Sequence, residues 1–202
     1  MIHIDRETYK IEEDSYIKKI HNKKQIVLAS SLRKNNYHIV RLMNRLTNKK
    51  RWNTFTISRD GTIYQHYNPK YYTNFLKIGM KEADMHSISI VLENMGGLLE
   101  TSEGEYVNTL NEICEKEFVG KKKFLGQKYW EIYSEVQIKS LVNLCKKLCN
   151  DFDIPLKVIE FHHMHEKIMD FNGIVFRSNF FDNSNDINPF LNIEKLNELI
   201  TN

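Results

Sequence analysis

The densest run of side chains able to bind a metal is Phe161-His-His-Met-His165, followed by Glu166. In an extended segment alternate side chains point the same way, so His163 and His165 would share a face. A distant Asp186 could complete a zinc site with them, and His162 is a further imidazole in the same run. No spacing fixes that third ligand, and the plainer reading is a polar loop with histidines on the surface. Cys145 and Cys149 lie four apart, where two thiolates on one helix could chelate an ion. Both fall on the stripe Ile138, Leu141, Val142, Cys145, Leu148, Cys149 and Phe152, so the pattern predicts reduced thiols packed in a core.

Two other groups have chemical potential of a weaker kind. Lys121-Lys122-Lys123 could touch phosphate or an anionic wall polymer, although short basic runs are usually solvated faces. Tyr64, His66, Tyr67, Tyr71 and Tyr72 surround Pro69 and could line a glycan or protein contact, or simply cover a sheet edge. The third cysteine, Cys114, makes the count odd, which argues against a disulfide framework.

These groups need elements to hold them. Residues 25–30 form a short apolar run bounded by polar residues, which predicts a buried strand. Ile39, Leu42, Met43 and Leu46 then recur at helical spacing. From Trp52 to Gln65 two β-rich runs flank Asp60-Gly61, a hairpin-turn dipeptide. Residues 87–93 read as a central strand closed by Gly96-Gly97. Residues 100–128 are polar and read as an excursion from the core, with a short helix around Leu110, Ile113 and Cys114. Ser134 and Gln137 match a capping box that opens a helix, ended before Pro155. Leu156–Phe161 and Gly173–Phe176 read as strands, and a polar loop runs to the turn at Asn188-Pro189. Strands alternating with helices predict an α/β fold: a single domain with a central mixed β-sheet flanked by helices. The domain covers residues 25–202, preceded by an N-terminal extension over 1–24.

Composition narrows the function classes. At 202 residues, 41% hydrophobic and 27% charged, the chain suits one globular domain rather than a disordered tail. No apolar run approaches the ~18 residues of a membrane span. The N-terminal stretch is charged throughout and lacks the apolar core of a secretory signal, so synthesis in the cytoplasm is expected. A formal net charge of +3 is too small to point to nucleic acid. The bias toward Lys, Asn and Ile, with alanine only at Ala29 and Ala83, suggests an AT-rich genome.

The order of these pieces, from Ile26–Ser31 through the Asp60-Gly61 hairpin, the 87–93 strand, the capped helix and Gly173–Phe176, resembles the zinc-dependent N-acetylmuramoyl-L-alanine amidases of the peptidoglycan-recognition and phage-lysozyme type. The resemblance covers residues 25–192, and Trp130–Gln137 looks most like the amidase-like proteins of bacteriophages. It implies a zinc ion held by a His on the first strand, a second His after the Gly-Ile-Val run, and a Cys or Asp beyond. Here those positions hold Ala29, with Ser30 beside it, then Arg177 and Asp186. The assisting hairpin Tyr of the family becomes Asn53, and the substrate-loop His becomes Asn74. The strand carboxylate becomes Val91, although Glu93 lies two residues on along the same face.

The resemblance thus implies the fold without the activity. The expectation is a catalytically inactive amidase-like domain without a cofactor, kept for binding or assembly as a bacteriophage virion or tail-associated structural protein. Other virion proteins are the implied partners, with a peptidoglycan fragment as a further ligand. Arg177 is expected to replace the metal by pairing with Asp186. The alternative is a working amidase whose zinc is displaced to His162, His163 or His165 with Asp186.

Overall fold

Every residue of Gln25–Ser30 is buried, which fits a strand covered on both faces inside a parallel sheet. The computed structural model describes residues 2–34, 39, 51–76, 79, 81–161, 163–181 and 188–201. Among these, β1 (Gln25–Ser30), β2 (Phe55–Ile57), β3 (Ile63–Gln65), β4 (Ser87–Leu92) and β10 (Gly173–Phe176) form a mixed sheet in the order β10-β1-β4-β2-β3. All run parallel except β3, which returns antiparallel to β2 at the edge. The fold is therefore a single α/β domain with a central mixed sheet, as the pattern predicts. The expected helix around Leu42, Met43 and Leu46 lies outside the described residues; Ile39, at its start, is buried.

The Asp60-Gly61 turn joins β2 to β3. Gly61 has φ +83°, and a Cβ there would stand 2.9 Å from the carbonyl oxygen of Val136, so both conformation and close approach demand glycine. Besides the short α1 (Lys81–Met85), the long helix α2 (Glu135–Phe152) lies against the sheet and buries Leu141, Val142, Leu144, Cys145, Leu148 and Cys149. Ser134 caps it, accepting the Gln137 N–H at 3.2 Å, and Asp153 ends it in the left-handed region two residues before Pro155. The capping box is only half formed, because the Gln137 side chain turns inward. Its Nε2 donates to the carbonyls of Ile57 and Glu93 at 3.0 and 2.9 Å and ties the helix to two strand ends. All three thiols are free and buried.

Within residues 100–128 the expected helix at Leu110, Ile113 and Cys114 does not form, and the segment belongs to a small antiparallel sheet. Strands β5 (Gly97–Glu100), β6 (Tyr106–Val107), β7 (Ile113–Cys114), β8 (Val119–Phe124) and β9 (Gln127–Glu131) lie in the order β7-β6-β5-β9-β8. Asn108 overrides the helical spacing: its Oδ1 accepts the N–H groups of Leu110 and Glu112, both at 3.0 Å, and fixes a turn. The outermost strands β7 and β8 are joined by residues 115–118 alone, so the sheet curls around Met95, Leu98 and Cys114, with Tyr106, Val119 and Tyr129 packed against them.

Two further departures are local. Leu156–Phe161 makes one bridge, Val158 to Ile174, rather than a full strand: the Ile159 N–H donates to the Ile174 carbonyl at 2.9 Å and the Ile174 N–H to the Lys157 carbonyl at 2.8 Å, while the Val158 N–H, on the far side, donates to Asn197 Oδ1 at 3.1 Å. A helix not expected from the sequence, α3 (Ile193–Thr201), starts where Asn192 Oδ1 accepts the Lys195 N–H at 2.9 Å, and it buries Leu196 and Ile200. The Ser134 hydroxyl both caps α2 and donates to the Arg59 carbonyl at 2.5 Å. Ser134→Ala should therefore lower stability by about 1–2 kcal/mol. An unchanged urea midpoint would show that neither bond matters.

Candidate functional site

The strand ends set the geometry of the site. Ala29 on β1 pairs with Val91 on β4, which pairs in turn with Thr56 on β2, so the three form one row across the sheet. Leu28 pairs with Phe176, so Ala29 and Arg177 follow one residue later on neighbouring strand ends. Ala29 and Val91 are buried. The Arg177 guanidinium stands over the rings of Phe75 and Phe181, at 5.8 and 5.3 Å, and Asn74, which precedes Phe75, is exposed. Asp186, and with it the expected Arg177–Asp186 pair, lies outside the described residues, as does His162. Ser30 points to the helix side, its Oγ 2.8 Å from the Tyr133 hydroxyl. Tyr133 also lines a groove of about 590 Å³ between α2 and α3, with Ile138, Val142, Leu196 and Lys195.

Asn53 is buried, and its amide is engaged by its own strand. Its Nδ2 donates to the Phe55 carbonyl at 2.7 Å and to Thr56 Oγ1 at 2.8 Å. Thr56 Oγ1 lies 2.8 Å from His66 Nε2, and His66 Nδ1 lies 2.8 Å from the Tyr9 carbonyl. A carbonyl only accepts, so Nδ1 carries the hydrogen and Nε2 accepts from Thr56. Burial holds this imidazole neutral, pushed down to about 4.

The other singled-out groups do not converge on the strand ends. The rings of His163 and His165 both rest on Phe161, at 4.7 and 5.1 Å. Among the described residues, no three His, Cys, Asp or Glu side chains could hold a metal ion together. Lys121, Lys122 and Lys123 are exposed on β8, with Lys122 Nζ donating to the Pro189 carbonyl at 3.0 Å. Tyr67 and Tyr71 stack on Tyr16 at 5.3 and 5.6 Å and so hold the N-terminal segment to the sheet.

A charged cluster that the sequence reading missed sits at the ends of β2 and β4. Arg59, just before the hairpin turn, donates to both Glu131 oxygens, through Nε at 2.5 Å and Nη2 at 2.7 Å. Nη2 also donates to the Arg33 carbonyl at 3.2 Å, and Nη1 lies 4.0 Å from Glu93. Glu93 and Glu131 are almost fully buried. The only signal in the sequence is two ionisable residues, Arg59 and Glu131, flanking strand-like runs. Nothing local says that they meet across 72 positions.

The sequence profile described as N-acetylmuramoyl-L-alanine amidase matches residues 8–173. The chain belongs to the N-acetylmuramoyl-L-alanine amidase family. Its fold is shared with the N-acetylmuramoyl-L-alanine amidase LysC from Clostridium intestinale URNW, at 12% identity and TM-score 0.54, over 100% of this chain and 99% of that one. It is also shared with a mutant endolysin from Bacillus subtilis, at 14% identity and TM-score 0.57, over 99% of each chain. The amidase AmiD from E. coli, solved with anhydro-N-acetylmuramic acid-L-Ala-D-gamma-Glu-L-Lys, matches at 13% identity and TM-score 0.56, over 93% of this chain and 66% of that one. No curated protein matches the sequence.

In this amidase-family chain the partly exposed Arg59 clasps a buried carboxylate, so removing the cation strands Glu131. Arg59→Met should cost about 3–5 kcal/mol, because the buried Glu131 carboxylate then loses its cation. Chemical denaturation of the purified variant checks this, and a loss below about 1 kcal/mol would mean that the pair behaves like a solvated surface bridge.

Proposed function

We propose that this amidase-fold chain does not hydrolyse peptidoglycan and serves as a binding or assembly module, a structural protein of a bacteriophage particle or tail. The observation that carries the reading is the pair of side chains at the neighbouring ends of β1 and β10. The family resemblance puts zinc ligands there, and this chain has Ala29 and Arg177. A methyl group has no lone pair, and a guanidinium is a permanent cation with no acceptor, so these residues do not fit zinc. Asp186 alone could not hold a catalytic ion tightly. Asn53, at the position of the assisting phenol, has its amide engaged by Phe55 and Thr56.

Fold and chemistry are separable, so a groove can persist as a receptor after hydrolysis is lost. The AmiD complex with a muropeptide supports a wall fragment as the ligand class for such a receptor. The phage role rests on the likeness of Trp130–Gln137 to bacteriophage amidase-like proteins, and other virion proteins are the partners it implies.

Purified chain equilibrated with zinc and freed of excess should carry far less than one ion per chain and should not lower the turbidity of a cell-wall suspension. About one zinc per chain, with lysis abolished by a chelator, would overturn the reading in favour of a working amidase with ligands drawn from His162, His163, His165 and Asp186. Co-sedimentation with insoluble peptidoglycan then separates the two uses of an inactive module. Retention marks a wall receptor, and its absence leaves protein assembly.

A further inference from the structure

The charged cluster at the end of β4 has unequal geometry. Arg59 commits two nitrogens to Glu131 in a two-point clasp, while its remaining nitrogen is 4.0 Å from Glu93, beyond hydrogen-bond reach. Glu131 is fastened further: it accepts the Met95 N–H, and its main-chain carbonyl accepts the amides of Asn94 and Asn188. Glu93, only 2% exposed, is therefore a second buried carboxyl beside a cation already clasped elsewhere. The three groups come from the hairpin, from β4 and from β9, so the cluster sits where the parallel sheet joins the curled sheet.

We propose that Glu93 is a proton-operated latch between the two sheets: as a neutral acid it leaves Arg59 clasped to Glu131, and as a carboxylate it draws Arg59 away and loosens the curled sheet. The groups that face it are few in kind. The hairpin contributes the Arg59 guanidinium, the Arg59 main-chain N–H, which donates to the Glu93 carboxyl, and Asp60; β9 contributes Glu131, and α2 contributes the Gln137 amide, held on the Glu93 carbonyl. Beyond Glu131 lies the Cys114 thiol of β7, and beside the Arg59 clasp lies the Arg33–Glu112 pair at 3.7 Å.

The sign follows from burial. Desolvation raises Glu93 from the usual 4.5 to about 7, with Arg59 opposing only in part. Between those values the folded chain keeps a proton that the unfolded chain has lost. Its contribution to stability is full below the lower value and is lost as pH rises through the upper one.

Cys114 reports on the latch, because it is 4% exposed inside the curled sheet while Cys145 and Cys149 lie under α2. The intact chain is alkylated with iodoacetamide from about pH 6 to about pH 8, and labelling at each cysteine is read by peptide mass spectrometry. The ratio of Cys114 to Cys145 labelling should rise several-fold in the parent and stay level in Glu93→Gln, whose side chain is always neutral. The same profile in both proteins would overturn the proposal. Should Glu93→Gln fail to fold, carboxyl NMR of the unmodified chain decides. A glutamate titrating near neutrality, with amide shifts following over 94–98 and 127–131, supports the latch; no glutamate titrating above about pH 6 sinks it.

Discussion

One partly buried cation organises the upper end of the molecule. Arg59 comes from the hairpin, clasps Glu131 of β9, donates to the carbonyl of Arg33 beyond β1, and lies 4.0 Å from Glu93 at the end of β4. Its own carbonyl accepts the Ser134 hydroxyl that caps α2. A charge taken out of water costs several kcal/mol unless its partners are in place, so the guanidinium constrains every element that supplies a partner. The requirement reaches the turn itself. With α2 drawn against the hairpin, position 61 has no room for a side chain, since a Cβ would meet the Val136 carbonyl at 2.9 Å.

That constraint explains how the family fold can persist whatever happens to its chemistry. The parallel strands are held by backbone ladders and by the apolar face under α2, where Leu28, Ile90, Phe55 and Leu141 belong to one cluster. The Ala29–Val91–Thr56 row belongs to the opposite face, because neighbouring side chains alternate across a strand. On that side the polar contacts are satisfied internally, by the chain from Asn53 through Thr56 and His66 to the Tyr9 carbonyl.

What the sequence made legible was local. The apolar runs of β1 and β4, the Asp60-Gly61 turn and the Ser134 cap each carry their signal within a few residues, and each lies where that signal puts it. The curled sheet was illegible for the opposite reason. Its strands are as short as two residues, and Asn108 imposes a turn where Leu110, Ile113 and Cys114 mimic helical spacing. Strand order was enough to bring Ala29 and Arg177 to neighbouring ends. The partners of Arg59 depend instead on how the two sheets meet, which no window of sequence contains.

The same burial that builds these networks makes them oppose one another as pH changes. Glu93 is raised to about 7, so its contribution to stability falls as pH climbs from its ordinary value toward neutrality. Asp84, buried and raised to about 6, acts in the same direction despite the Leu76 N–H it accepts at 3.0 Å. His66 is depressed to about 4, so over much of the same range the unfolded chain binds a proton that the folded chain refuses, and its contribution rises with pH. A flat stability profile near neutrality would then be a balance between a buried acid at the sheet junction and a buried imidazole on the N-terminal strap, not an absence of titration. The two groups are coupled to different parts of the fold, the first to the curled sheet through Arg59 and the second to Tyr9. Acid therefore stresses the N-terminal segment, while neutral and alkaline pH stress the sheet junction, even where the total free energy hardly changes.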